Sequence, residues 1–187
     1  MNSLYLNLVL LTAASVSQAA LGDNIIESMA GASDFMLSLF YIVGIAMIFA
    51  GVNKLKRLGH RTAFMNVDSG VSGPLIMLLI GAVMIFMPSF LEVLNKSIWG
   101  TADIADLKEL TYVKDDSSME AKLRPVIMIV QFIGLVAMLR GFLILTKVTG
   151  QGAQPGTVSK GMIHIFGGIL AVNIVRTVEI AINTFGG

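Results

Sequence analysis

The stretch "QFIGLVAMLRG" at residues 131–141 can be laid over "YIVGIAMIFAG" at residues 41–51. Gly134 then falls on Gly44 and Gly141 on Gly51, each 90 residues on. Downstream, "SGPLIMLLIGAVMI" (72–85) aligns with "SKGMIHIFGGILAV" (159–172), and Gly81 meets Gly168 at a separation of 87. Self-similarity of this kind marks a repeated supersecondary unit. Each copy reads as an apolar helix, a basic or Gly-rich turn, and a second apolar helix. The pattern predicts an all-α protein made of two tandem helical hairpins.

Composition says where those hairpins live. Of 187 residues, 55% are hydrophobic and only 13% charged, with a mean hydropathy of +0.81. Soluble domains carry about a quarter of charged residues, so a small integral membrane protein is expected. A net charge of +1 offers no basic field for phosphates, and no direct nucleic-acid binding is evident. The chain has no cysteine, which excludes disulfides, thiolate metal sites and a Cys nucleophile.

Four segments match the ~20 apolar residues a helix needs to cross a bilayer: 35–52, 74–94, 125–145 and 162–182. Pro74 and Pro125 fall near expected helix starts, where the missing N–H costs nothing. Pro88 lies inside the second segment and should kink or end it. A fifth apolar stretch, "LYLNLVLLTAASVSQAAL" (4–21), ends in the small-x-small run Ser17-Gln18-Ala19. It has no basic residues ahead of it. Residues 1–19 are either a removable signal peptide or an N-terminal membrane-associated helix. The expected organisation is then a first hairpin at 33–95, a polar connector at 96–124 and a second hairpin at 125–187.

Charge asymmetry sets an orientation. "NKLKRLGHRTAF" (53–64) carries Lys54, Lys56, Arg57 and Arg61 without an acid, and is expected on the cytoplasmic side. The turn "GQGAQPGTVSKG" (150–161), flanked by Lys147, should lie there too. The connector, which mixes six Asp and Glu with five basic residues, is placed opposite, as in a bacterial inner membrane with its periplasmic face. Its Ile104, Leu107, Leu110 and Val113 have helical spacing, and Trp99 and Tyr112 suit the membrane boundary.

Lipid gives no hydrophobic reward for helix association, so membrane helices approach through small residues. Gly134, Ala137 and Gly141 share one face of the third segment. Gly44 and Gly51 repeat that spacing on the first, and Gly161, His164, Gly168 and Ala171 on the fourth. Gly44, Gly51, Gly81, Gly134, Gly141 and Gly168 are the expected packing positions.

Ionisable groups within hydrocarbon are functional candidates. Arg140 lies within snorkelling reach of the cytoplasmic headgroups. Arg176 and Glu179 sit at i, i+3 near the other end, with Asn173 one turn earlier and His164 at the start of that segment. They cluster at the two ends, while 166–172 holds no charge, so anchoring and helix pairing outweigh a proton or ion path. No nucleophile, metal cluster or phosphate-binding fingerprint is present: "GQGAQPG" lacks the Lys-Ser/Thr ending of a P-loop and follows a membrane helix. Neither an enzyme nor a cofactor is expected.

"GFLILTKVTGQGAQPGTVSKGMIHIFGGILAVNIV" (141–175) resembles the DotE/IcmC family of type IVB secretion, called TraQ in IncI-type conjugation. Gly150, Gln151, Gly152, Gln154, Pro155, Gly156, His164, Gly167, Gly168 and Asn173 carry the resemblance, and 72–89 fits the same family. The related DotP/IcmD proteins share the turn but have one hairpin. The resemblance implies a structural inner-membrane subunit that works beside other subunits of a machine moving DNA or effectors, in a homo- or hetero-oligomer. More loosely, the chain resembles two VirB-type pilin hairpins fused, which implies a pilin-like subunit polymerising into a filament or channel. A small ion-coupled transporter using Arg140, Arg176 and Glu179 is the third possibility. Within the turn, Gly150, Gly152 and Gly156 permit positive φ and Pro155 fixes its own, which suits a tight reversal at the membrane surface.

Overall fold

A computed structural model describes residues 2–61, 71–104, 117–148 and 156–185; within these, the side chains of 2–21, 60–61 and 117–121 are outside the description. The described residues form six helices and no strand: α1 (Asn2–Arg61), α2 (Ser72–Ile85), α3 (Met87–Trp99), α4 (Ser117–Leu145), α5 (Thr157–Val172) and α6 (Ile174–Phe185). Two stretches, Gly22–Gly59 and Lys122–Leu145, are unbroken helix, long and apolar enough to cross a membrane. The number rises to four if each bent pair, α2 with α3 and α5 with α6, is one span. The chain is a helical membrane protein.

Three sequence expectations change. The apolar N-terminal stretch is not a separate element: the α1 backbone runs from Asn2 through Arg61 without a break. No proline falls in those 60 residues, and single glycines such as Gly22 and Gly31 each cost a helix only about 1 kcal/mol. Lys54, Lys56 and Arg57 therefore sit on the exposed last turns of α1 instead of in a loop. Likewise α4 begins at Ser117, which leaves Pro125 inside the helix and takes residues 117–124 out of the connector. At the other side of the connector, residues 96–99 belong to α3.

The third change is the largest. The second segment breaks, as Pro88 leads one to expect, and the fourth, expected as a single span, breaks as well. The axis turns by 87° between α2 and α3 and by 89° between α5 and α6. Pro88 explains the first turn: it has no N–H for the Met84 carbonyl, and it lies at the start of α3, where that loss is harmless. No proline marks the second turn, which occurs at Asn173 (φ −104°, ψ 41°). Phe86, the residue at the first bend, has nearly the same backbone (φ −94°, ψ 29°) and lies 87 positions earlier.

The hydrogen bonds around the two bends also match. Phe86 N–H donates to Ala82 O at 3.1 Å and Phe90 N–H to Phe86 O at 2.9 Å. Their counterparts are Asn173 N–H to Ile169 O at 3.2 Å and Thr177 N–H to Asn173 O at 3.0 Å. In the second copy the Thr177 hydroxyl also reaches Leu170 O at 3.0 Å and Asn173 O at 2.9 Å. It thereby offers a second donor at the bend, shared between the Leu170 carbonyl and that of Asn173. The repeat thus extends from the glycines to the backbone of the bends.

One core joins the two halves. Phe40, Met84, Met87 and Met138 are almost completely buried in it, with Ile169 and Val172 from α5. Methionine's unbranched side chain suits the irregular gaps between such helices.

Candidate functional site

Within each hairpin, backbone approaches backbone. A Cβ built on Gly44 would lie 2.8 Å from the Gly81 carbonyl oxygen, and one on Gly81 would lie 2.9 Å from that of Gly44. Seven residues further along α1, Gly51 faces Pro74 O at 3.2 Å. In the second hairpin, Gly134 and Gly168 stand in the same reciprocal relation at 2.8 and 2.6 Å, and Gly141 and Gly161 at 2.8 and 3.2 Å. Real Cβ atoms essentially never come within 3.0 Å, so Gly44, Gly81, Gly134, Gly141 and Gly168 leave no room for a side chain, while at Gly51 the Leu78 side chain would have to give way. Both pairings are antiparallel, and Pro74 and Gly161 are again 87 apart. Gly161 was visible in the sequence only as a member of a face; here it completes the second seam.

Gly167, which helps carry the family resemblance, points away: nothing lies within 4 Å of a Cβ built there. Gly156 has φ +87° and caps the start of α5, where its carbonyl accepts from Lys160 N–H at 2.9 Å. Gly150, Gly152 and Pro155, together with Gln151 and Gln154, lie outside the described residues.

The polar candidates separate along the second hairpin. Arg140 is exposed on α4 near the turn. His164 is half-buried on α5, and its Nδ1–H donates to Lys160 O at 2.7 Å, a local helix bond. Arg176 and Glu179 lie beyond the bend on α6, whose axis is nearly perpendicular to α5. Among the described residues no group of three or more His, Asp or Glu is placed to hold a metal ion.

Asn173 does more than end a helix. Its Nδ2–H donates to Asn95 Oδ1 at 2.6 Å, and both side chains are buried. Asn95 in turn donates to Ala102 O at 3.3 Å. A buried amide needs partners, and this one ties the bend of the second hairpin to α3 of the first. Asn173 Oδ1 finds no hydrogen bond among the described residues. Asn95 was missed in the sequence. The signal was an amide continuing the i, i+4 stripe of Met87 and Leu91, the side that α3 buries.

Contacts between the hairpins fix their relative position. A Cβ on Gly22 would lie 3.8 Å from Pro125 Cγ. Further up, the Phe40 and Phe142 rings meet edge-on at 6.5 Å, and Phe90 joins Phe142 at 6.2 Å. Hence α1 and α4 run parallel, and their C-terminal ends lie toward the same side. The residues in contact are 103 and 102 apart, not the 90 that relates the repeats. The first hairpin is therefore advanced along the second by 12 to 13 residues, about 19 Å at the helical rise.

No protein family model, no characterised protein and no solved structure matches this chain.

Proposed function

We propose that the chain is a non-enzymatic structural subunit of a bacterial inner membrane. We assign it to a conjugative or type IVB secretion apparatus that supports transfer of DNA or effector proteins. The observation that carries the structural reading is the pair of glycine seams, Gly44–Gly81 and Gly134–Gly168, where backbone meets backbone. Sequence is spent there on placing helices. The apparatus itself rests on the resemblance of residues 141–175 to DotE/IcmC and TraQ proteins. In this reading the basic ends bearing Lys54, Lys56, Arg57, Lys147 and Lys160 face the cytoplasm, partner subunits supply the energy, and all four apolar segments are embedded. Arg140 on one side, and Arg176 and Glu179 on the other, lie toward opposite ends of the second hairpin, which argues against ion transport.

Deletion with plasmid complementation tests the assignment. Transfer frequency should fall by orders of magnitude and return with the wild-type chain, and other membrane subunits should co-purify with it. Unchanged transfer on deletion would remove the reading.

A second reading, a pilin-like subunit that assembles with itself, is favoured by one observation: the two similar hairpins associate with a 19 Å stagger instead of side by side (about 12.5 residues at the helical rise).

A further inference from the structure

The contact between the hairpins uses a different face of each. The first hairpin presents Met36 and Phe40 from α1 and Leu91 and Asn95 from α3, all buried. The second presents the side of α4 that carries Pro125, Phe132 and Leu139, spaced seven apart, with Phe142 and Asn173. Because the hairpins are repeats, each also owns a copy of the face that the other one uses. Those two copies are largely uncovered, with Val130 half-buried.

On the first hairpin, the positions matching Pro125, Phe132 and Leu139 are Phe35, Ile42 and Phe49. They stand 67%, 63% and 67% exposed. On the second, the positions matching Met36, Leu91 and Asn95 are Val126, Val178 and Ile182, which are 54%, 37% and 38% exposed. An association that joins unlike faces does not use itself up, since one of each is always left at the ends.

The two free faces also suit each other pair by pair. Inside the chain Asn95 meets Asn173; in the free faces the same two positions are Ile182 and Phe86, both apolar and both exposed. An amide on one side only would have been left buried without a partner. Phe40 against Phe142 becomes Val130, half-buried, against the exposed Val52, again a change on both sides together.

We infer that a second copy of this chain covers these surfaces. The Val126–Val130–Ile182 face of one copy docks on the Phe35–Phe49–Val52 face of the next, repeating the contact already made between the two hairpins of one chain. This deepens the self-assembling reading and does not depend on which apparatus the protein serves. Each step carries the 19 Å stagger onward, so two steps exceed the ~30 Å hydrocarbon thickness. The product is a climbing array and not a ring within the membrane plane.

The absence of native cysteine gives a clean background for a test in the full-length protein extracted in mild detergent, where no bilayer opposes the climb. With a bifunctional thiol crosslinker of about ring-pair length, the variant carrying both Val52→Cys and Val130→Cys should give a ladder of dimer, trimer and longer products. Val52→Cys alone and Val130→Cys alone should stay monomeric, and the two single variants co-expressed should stop at the dimer. A Gly22→Cys, Pro125→Cys chain, crosslinking within itself, reports that the hairpins are docked. Dimers from either single variant would mean a symmetric contact and overturn the proposal. So would a double variant that is docked by the second criterion yet stays monomeric, with both thiols open to a lipid-soluble maleimide. Loss of transfer on deletion without a ladder would remove this inference and leave the apparatus reading standing.

Discussion

Asn173 Nδ2–H donates to Asn95 Oδ1 across 2.6 Å in the protein interior, between residues 78 positions apart. It is a polar link beside a core of methionines, leucines and aromatic rings. Replacing Asn95 alone by Leu leaves the Asn173 amide buried without its acceptor, at a cost of about 1–3 kcal/mol. Leu at both positions should cost less than the two single changes summed, with a coupling of about 0.5–1 kcal/mol. Equilibrium unfolding of the four proteins in bicelles measures it; strict additivity would show that the bond carries no net stability.

Gly167 and Gly168 are neighbours with opposite prospects. A Cβ at 168 would meet Gly134 O at 2.6 Å and collide with Met138 Cγ, while one at 167 meets nothing within 4 Å. Gly168→Ala should destabilise the second hairpin by about 1–3 kcal/mol through overpacking. Gly167→Ala should be neutral or stabilising by up to about 1 kcal/mol, since alanine is the better helix former. Thermal stability in detergent separates them, and equal effects would contradict the seam.

Gly156 holds φ at +87° where α5 begins, with open space around its missing side chain. The penalty for alanine there is conformational alone, about 1–2 kcal/mol, and asparagine should recover part of it. The same stability measurement on Gly156→Ala and Gly156→Asn tests this ordering.

The bend at Asn173 makes a prediction about depth. If α5 ran straight on, single cysteines at Val178, Ile182 and Phe185 would change in membrane depth by about 1.5 Å per residue. With α6 turned by 89° they should report nearly one depth. Spin labels with water- and lipid-soluble relaxers give the answer, and a steady gradient would restore an unbroken fourth span.

The sequence allowed the hairpins to be read because glycine spacing survives as a pattern: Gly44, Gly51, Gly134 and Gly141 share one interval, and Gly81 and Gly168 align across copies. It also flagged the first bend through Pro88. The second bend escaped because Asn173 breaks its helix without a proline, relying on a tertiary bond to Asn95 and on the Thr177 hydroxyl. Local propensity contains neither. The uninterrupted α1 was hidden by a similar limit: the apolar stretch 4–21 reads as a separate segment, yet Gly22 lies against Pro125 of α4 within a continuous helix. Residue separation in a seam can be read from one chain; the stagger between hairpins cannot, because only the folded contacts Gly22–Pro125 and Phe40–Phe142 specify it.

That displacement has a mechanical consequence. The apolar length of 35–52 is about 27 Å, and a partner shifted by about 19 Å brings the total to some 46 Å, well above a ~30 Å hydrocarbon layer. Hydrophobic mismatch costs fractions of a kcal/mol per Å and is relieved by tilting or local thickening. The surrounding lipid therefore acts as a spring on the docked pair. Thin bilayers pull the two hairpins level and strain the Asn95–Asn173 link, whereas thick ones leave it at rest.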